Sequence, residues 1–197
     1  MSEEKTILNN WIREPKIIAQ IYEFYICGEI EEPECYIDMY DSIRHARHTD
    51  VVKIYLNSFG GNLYSAIQFL RVLAESEAEV IVSIEGAAMS AATLIFLAAD
   101  SVEITPNSSI MIHNYSSGTI GKGNEMHSQI QHERKWSETL FNQVYEDCLS
   151  KEEICAVLDG KDIWMDSEEV MVRLQKRGEV RKELAELEEA TKPELED

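Results

Sequence analysis

Ser90 is the residue whose surroundings most suggest chemistry. It follows a β-branched run, Val80–Ile84, and Gly86, and it precedes an alanine-rich stretch that ends at Ala99. We predict that a helix begins at this serine. The first amides of a helix lack internal partners and carry partial positive charge, so they stabilise a developing oxyanion. The Ser90 hydroxyl is therefore a candidate nucleophile, although serine in an apolar helix also serves close packing.

A nucleophilic serine needs a base to take its proton and a carboxylate to orient that base. His113 ends an apolar strand and Asp162 precedes the strand-like run Ile163–Met165. Taken singly, the histidine also fits a hydrogen-bonded core residue and the aspartate a turn residue or helix cap. Gly60–Gly61 fits a tight turn, and no phosphate-binding loop pattern is present.

Strand-like and helical patterns alternate along the chain, which predicts an α/β fold with parallel strands. The predicted strands are 21–27, 51–57, 80–84, 102–104, 110–113 and 163–165. Helices are predicted at 35–46, from Leu63 to Leu73, from Ser90, at 124–149, at 151–158 and after 166. The helix at 124–149 is long for a globular protein, so it is expected to project and pack against another subunit.

The chain divides into three parts by composition. Residues 1–20 form a polar leader, 21–174 a catalytic domain that includes the long helix, and 175–197 a charged, solvated tail that is at most partly helical. No apolar segment reaches the length of a membrane span and no secretory signal is recognised, so a cytoplasmic location without membrane association is expected.

The net charge and the cysteine spacing limit which partners and cofactors are expected. The chain has 18 Lys and Arg against 37 Asp and Glu, a net charge of −19. Such a balance argues against nucleic acid as a partner. The four cysteines lack C-x-x-C spacing, which favours free buried thiols and predicts no metal site.

Four segments in order resemble the proteolytic subunit of the Clp protease. They are Leu56–Gly61, Gly86–Ala92, Pro106–His113 and Asp162–Val170. The resemblance runs from about residue 22 to 174. It implies a crotonase-like stack of ββα units with a protruding handle helix, for which the helix at 124–149 is the candidate.

The resemblance also implies roles for individual residues. Ser90 would be the nucleophile, His113 the general base and then acid, and Asp162 the residue that orients the histidine. The backbone amides of Gly61 and Ala91 would form the oxyanion hole. The implied activity is a serine endopeptidase that acts on peptides or unfolded proteins.

The implied assembly is a homo-oligomer of stacked seven-membered rings, fed by an ATP-dependent AAA+ unfoldase. ATP would be used only by that partner, and the chain itself needs no cofactor. Relatives dock the unfoldase on an aromatic surface pocket, for which this chain keeps Tyr55 and Phe69 but has Lys53 and Glu75 where apolar residues are expected.

The motifs depart from the family at four positions. Phe59, Met89, Ala91 and Ala92 stand where the family has proline, alanine, methionine and glycine. These departures suit a bacteriophage relative, including one that serves head maturation. They also leave open a catalytically decayed scaffold subunit. An acyl-CoA hydratase or isomerase of the same fold, or a Ser-Lys dyad peptidase, is a further alternative.

Overall fold

The computed structural model describes the backbone of residues 19–191 and the side chains of residues 19–179. Most of the predicted leader, 1–20, and residues 192–197 of the predicted tail lie outside this range. The strands are β1 (Ile21–Ile30), β2 (Val51–Gly61), β3 (Glu79–Met89), β4 (Ser101–Ile104), β5 (Ser109–Ile112) and β6 (Ile163–Asp166). The helices are α1 (Ile37–Arg44), α2 (Leu63–Glu75), α3 (Ala91–Leu97), α4 (Gly123–Tyr145), α5 (Lys151–Leu158) and α6 (Ser167–Thr191). A 3-10 turn, Pro33–Tyr36, precedes α1.

These elements confirm the α/β fold class. The strands lie in the order β1-β2-β3-β5-β6, and β4 also pairs with β3. β3 is the central strand, because its first half pairs with β4 at residues 81–84 and its second half with β5 at residues 87–89. This second pairing explains why the strand continues through residues 86–89, beyond its predicted end at Ile84.

The expectation of an all-parallel sheet is wrong for β6. Pairs among β1, β2, β3, β4 and β5 are parallel, whereas β6 runs antiparallel to β5. Two helices, α4 and α5, join β5 to β6. By contrast, the parallel neighbours β1 and β2, and likewise β2 and β3, are each joined through a single α-helix.

The core lies between the sheet and the helices that cover it. Inward-facing residues of β2, such as Ile54 and Leu56, and the whole of α3 are buried. Phe69 of α2 is fully buried and packs edge-on against Tyr36 and Tyr40. The interpretation of Phe69 as part of a surface docking pocket is therefore wrong.

Helices α4 and α6 differ in extent from the sequence prediction. α4 ends at Tyr145, because the amides of Cys148 and Leu149 turn back to its carbonyl at 2.8 and 2.7 Å. α6 runs without a break across the predicted boundary at 174/175. Arg177 lies beyond that boundary, yet it is buried and donates to the Leu97 carbonyl at 2.8 Å.

The cysteines within the described residues are all free thiols. Only Cys148 is buried, whereas Cys27, Cys35 and Cys155 are exposed. The prediction that the thiols are buried is wrong for these three. No described helix combines the length and apolar character that crossing a membrane requires.

Candidate active site

Ser90 occupies a sharp turn between β3 and α3. Its backbone is in a left-handed conformation, φ 53° and ψ −127°, which is unfavourable for a residue with a side chain. Hydrogen bonds hold the turn on both sides. The Ser90 amide donates to the Met111 carbonyl at 2.8 Å, and the amide and hydroxyl of Thr93 donate to the Ser90 carbonyl at 2.9 and 2.6 Å. The direction of the Ser90 side chain is thus fixed by the strands and the helix around it.

Gly60, near the end of β2, allows the backbone to approach this turn closely. A β-carbon on Gly60 would lie 2.7 Å from the Ser90 β-carbon and 2.9 Å from the Met89 carbonyl. Its φ of +103° also disfavours any other residue. Glycine is required here by both space and conformation, which gives a physical reason for the Gly60–Gly61 signal in the sequence.

His113 meets Ser90 because of strand register. Met89 of β3 pairs with Met111 of β5, so the residues that follow the two strands emerge side by side. The His113 Nε2 atom lies 2.7 Å from the Ser90 Oγ atom. When the hydroxyl donates to Nε2, the ring proton is on Nδ1, and the imidazole can accept the serine proton.

Asp162 lies next to His113 by register but does not bind it. β5 and β6 pair Ile112 with Ile163, so continuing this antiparallel ladder by one residue sets His113 opposite Asp162. Cβ atoms of such pairs are about 4.5–5.5 Å apart, which is within reach of a carboxylate and an imidazole. Asp162 is exposed, and the described residues contain no hydrogen bond or ion pair between the two side chains. The third member of the predicted triad is therefore adjacent and unbound.

Gly61 and Ala91, the predicted oxyanion-hole residues, line the same cavity as Ser90. Ala91 is the first residue of α3, where amides have no partner inside the helix. Its nitrogen would lie 3.2 Å from a β-carbon on Gly60, so it is close to the end of β2. Gly61 has φ +148°, and a β-carbon there would lie 2.6 Å from the Ile30 nitrogen. The role predicted for both residues belongs to their backbone amides, so it does not depend on a side chain.

Thr93 and Tyr145 support the nucleophile turn and were not identified from the sequence. The Thr93 hydroxyl donates to the Ser90 carbonyl and accepts from the Tyr145 hydroxyl at 2.6 Å. Tyr145 is buried at the end of α4, and burial raises the pKa of its hydroxyl. The only sequence signal was a polar residue three positions after Ser90 in an otherwise apolar helix. Its partner is 52 residues away, beyond any local pattern.

Asn57 is a second supporting residue that sequence reasoning missed. Its side-chain oxygen accepts from the Ala87 amide at 3.0 Å, at the place where the register between β2 and β3 shifts. A β-carbon on Gly86 would lie 2.8 Å from this oxygen. The asparagine therefore joins the two strands just before the turn that carries Ser90.

A cavity of about 340 Å³ opens in front of Ser90 and His113. Its far wall comes from α2 and α4 and from the loop after β5. The lining side chains away from the two polar residues are mostly aromatic or aliphatic: Leu63, Tyr64, Leu94, Tyr115, Trp136, Phe141 and Tyr145, with the carboxylate of Glu133. The polar residues Asn62, Ser116 and Ser117 also line this cleft, whose size is that of a small ligand-binding site.

Metal-assisted chemistry has no candidate ligand set within residues 19–179. Groups of three or more His, Cys, Asp or Glu side chains placed to hold an ion do not occur among the described residues. The prediction that the chain binds no metal or cofactor stays a prediction.

Comparison with known proteins agrees with this fold. A family model described as Clp protease matches residues 39–172, so the chain belongs to the Clp protease family. Among solved structures, a point mutant of ClpP1 from Listeria monocytogenes matches with a TM-score of 0.63. Identity is 23%, and the match covers 77% of this chain and 86% of that chain. At this identity the match shows the ClpP-like, crotonase-type fold alone. The comparison with curated proteins gives no match.

Proposed function

We propose that the protein is a serine endopeptidase whose nucleophile is Ser90. The observation that carries this proposal is the 2.7 Å contact between Ser90 Oγ and His113 Nε2 at the mouth of a cleft. Membership of the Clp protease family supports peptidase chemistry. A neutral imidazole at this distance is placed to act as a general base.

The proposed reaction proceeds through an acyl-enzyme. Ser90 Oγ attacks the peptide carbonyl carbon while its proton passes to His113, and the amides of Gly61 and Ala91 stabilise the oxyanion. His113 then gives the proton to the departing amine as the carbon–nitrogen bond breaks. Water, deprotonated by the same histidine, hydrolyses the ester and regenerates Ser90.

Asp162 would orient the imidazole by accepting from Nδ1 of His113. His113 and Asp162 each lie one residue beyond the last pair of the β5–β6 ladder, Ile112 and Ile163, which supports this contact. We infer that the bond forms in the assembled or substrate-bound enzyme. Apo structures often show long or unformed catalytic hydrogen bonds that tighten on binding.

The proposed setting is a homo-oligomeric chamber of stacked seven-membered rings that degrades unfolded proteins supplied by an ATP-dependent unfoldase. Its support is family membership and a long handle helix, α4, whose first half has no buried residue. The stacked rings of the exposed Tyr25 on β1 and the half-buried Tyr55 on β2, with centroids 4.7 Å apart, are the proposed unfoldase contact. A cytoplasmic location remains a prediction.

Active-site labelling with a fluorophosphonate tests the proposed nucleophile. Only a serine activated by a base reacts rapidly, so we expect one label per chain, located on Ser90 by mass spectrometry of the modified peptide. Ser90→Ala is expected to lose labelling and to lower peptide hydrolysis by about 10⁴-fold or more, since triad members act as a unit.

The matched control is Ser128→Ala, an exposed serine on α4, which should label and hydrolyse like the parent chain. Equal hydrolysis by the parent and Ser90→Ala would refute the assignment. A folded chain that neither labels nor hydrolyses peptides would favour the decayed scaffold. Thioester turnover without labelling would favour the hydratase or isomerase.

A further inference from the structure

Glu133 is a charged residue in the cleft that the proposed reaction does not use. Its carboxylate accepts from the side-chain amide of Gln129 at 2.7 Å and from the hydroxyl of Tyr115 at 3.4 Å. Both donors are neutral, so they leave its negative charge uncompensated. No ion pair to Glu133 occurs among the residues that the structure describes.

The cleft offers no other formal charge to balance Glu133. Apart from His113, the residues that line it are neutral. Burial raises the pKa of the neighbouring Tyr115 hydroxyl, and the negative charge of Glu133 raises it further. An apolar group that filled this space would remove water from the carboxylate without replacing its interactions, which costs free energy.

Three aromatic rings stand beside the carboxylate. Trp136 stacks on Tyr64 with ring centroids 6.0 Å apart and meets Tyr115 edge-on at 6.2 Å. Glu133 and Trp136 are three residues apart on α4, so they share one face of the helix. Aromatic surface suits the methylene stem of a long cationic side chain, and ring faces and a carboxylate suit its charged end.

We propose that this cleft selects a lysine or arginine side chain on the acyl side of the bond that is cut. The inference rests on the proposed function, because Ser90 lines the same cavity as Glu133 and, as the nucleophile, defines which substrate residue enters it. The residue whose carbonyl is attacked has its side chain nearest to the nucleophile. Glu133 is thus a specificity-determining residue, bound to the substrate cation and not to the reacting atoms.

Hydrolysis and binding together test this preference. Fluorogenic peptides that differ only in the residue before the scissile bond compare lysine, arginine, norleucine and glutamate. Norleucine matches the lysine stem without its charge, so we expect kcat/KM for lysine to exceed that for norleucine by about 10- to 100-fold, the range for a charged hydrogen bond. Glu133→Gln should bring this ratio close to one, and Glu133→Lys should favour glutamate.

The control is Glu138→Gln, on the same helix but facing a different cavity, which should leave the ratio as in the parent chain. Binding to full-length Ser90→Ala, measured by calorimetry with peptide amides ending in lysine or norleucine, tests selection without catalysis. Tighter binding of the lysine peptide that disappears with Glu133→Gln supports the inference even if no substrate is cut. Equal or weaker binding of the lysine peptide, or a ratio unchanged by Glu133→Gln, overturns it.

Failure of the proposed function has a different signature. It appears as absent fluorophosphonate labelling of the parent chain. A labelled enzyme that prefers norleucine over lysine keeps Ser90 as the nucleophile and removes only the cationic preference.

Discussion

The Ser90 carbonyl, as well as its hydroxyl, is held by side-chain chemistry. Thr93 joins this carbonyl to the buried hydroxyl of Tyr145, so one threonine connects the nucleophile turn to the end of α4. Misplacement of a nucleophile by a fraction of an ångström lowers the rate of attack strongly. This bridge of hydrogen bonds, from the Ser90 carbonyl through Thr93 to Tyr145, is therefore expected to affect activity by positioning the nucleophile, without contacting the substrate.

We predict that Thr93→Val lowers kcat per labelled site by about tenfold. It should also lower the free energy of unfolding by about 1–3 kcal/mol, because the Tyr145 hydroxyl then lacks its buried partner. Normalising kcat to the fraction of chains labelled by fluorophosphonate separates positioning from loss of folded protein. The control is Thr139→Val, an exposed threonine on α4 that bonds only within its own helix.

The double variant Thr93→Val with Tyr145→Phe decides whether the two side chains act together. If the bridge is the cause, the combined loss of stability is smaller than the sum of the single losses. A fully additive result would show that Tyr145 stabilises α4 on its own.

A possible chemical role could be predicted for a residue where the sequence pattern that indicates it is local. Ser90 follows a strand-like run and a glycine, and His113 ends an apolar strand, so local patterns marked both as candidates, and the resemblance to the Clp protease subunit supplied their roles. Glu133 and Tyr145 offered no such signal, since their relation to the site depends on how α4 packs across the sheet. Asp162 was selected because it precedes a strand, but its side-chain rotamer depends on tertiary contacts that a local sequence pattern does not specify.

At the level of elements, β5 carries the site because it is paired on both sides. Its parallel pairing with β3 brings His113 to Ser90, and its antiparallel pairing with β6 ends at Ile163, the residue after Asp162. The strands themselves were predictable from apolar runs. The reversed direction of β6 was not, because strand direction follows from the path of α4 and α5 through space.

A salt bridge joins α5 to α6 behind the site. The Arg173 guanidinium donates to both carboxylate oxygens of Glu153, at 3.0 and 2.8 Å, and to the Cys148 carbonyl at 3.0 Å. The hydrogen bond from Arg173 lowers the pKa of Glu153 from 4.5 to about 2. This pair connects α5, the helix before β6, to α6, the helix after it.

We predict that Glu153→Gln lowers stability at neutral pH and loses its effect in acid. The pKa of Glu153 is lower in the folded chain, so its contribution is complete above pH 4.5 and fades as the pH falls toward 2. At pH 7 the loss should be about 1–2 kcal/mol, or about 2–8 °C in Tm. Thermal unfolding at pH 7 and pH 3, at equal protein concentration, should show the difference between variant and parent shrinking.

Glutamine keeps the hydrogen-bonding capacity that Glu153 uses to accept from the Ser150 amide at the start of α5. The control is Glu152→Gln, its exposed neighbour, for which we expect no difference at either pH. A Tm difference for Glu153→Gln that is equal at pH 7 and pH 3 would contradict the assigned role.

For the whole molecule, α4 has two distinct halves. Its buried residues, Ser137, Phe141 and Tyr145, all lie in the second half, and the first half carries the exposed Ile130. A single exposed apolar side chain is common on protein surfaces, so the proposed subunit contact of α4 depends on family membership and on the unburied first half of this helix. The assembly that the long helical pattern indicated stays a prediction.

We predict that native mass spectrometry finds a high-order homo-oligomer, with fourteen copies expected from paired seven-membered rings. Ile130→Glu should shift the mass toward smaller species, because a charge in an apolar contact is costly. The control is Gln131→Glu, which adds the same charge at the adjacent exposed position. A monodisperse monomer at micromolar concentration would remove the chamber from the proposed mechanism.

The left-handed backbone at Ser90 also determines whether activity or secondary structure is lost first on heating or in mild denaturant. Such a conformation persists only while its surroundings enforce it. A slight loosening of the turn would let the backbone relax and swing the hydroxyl away from the imidazole, with the sheet still intact. Peptidase activity would then fade before circular dichroism registers any melting, making turnover the more sensitive gauge of damage.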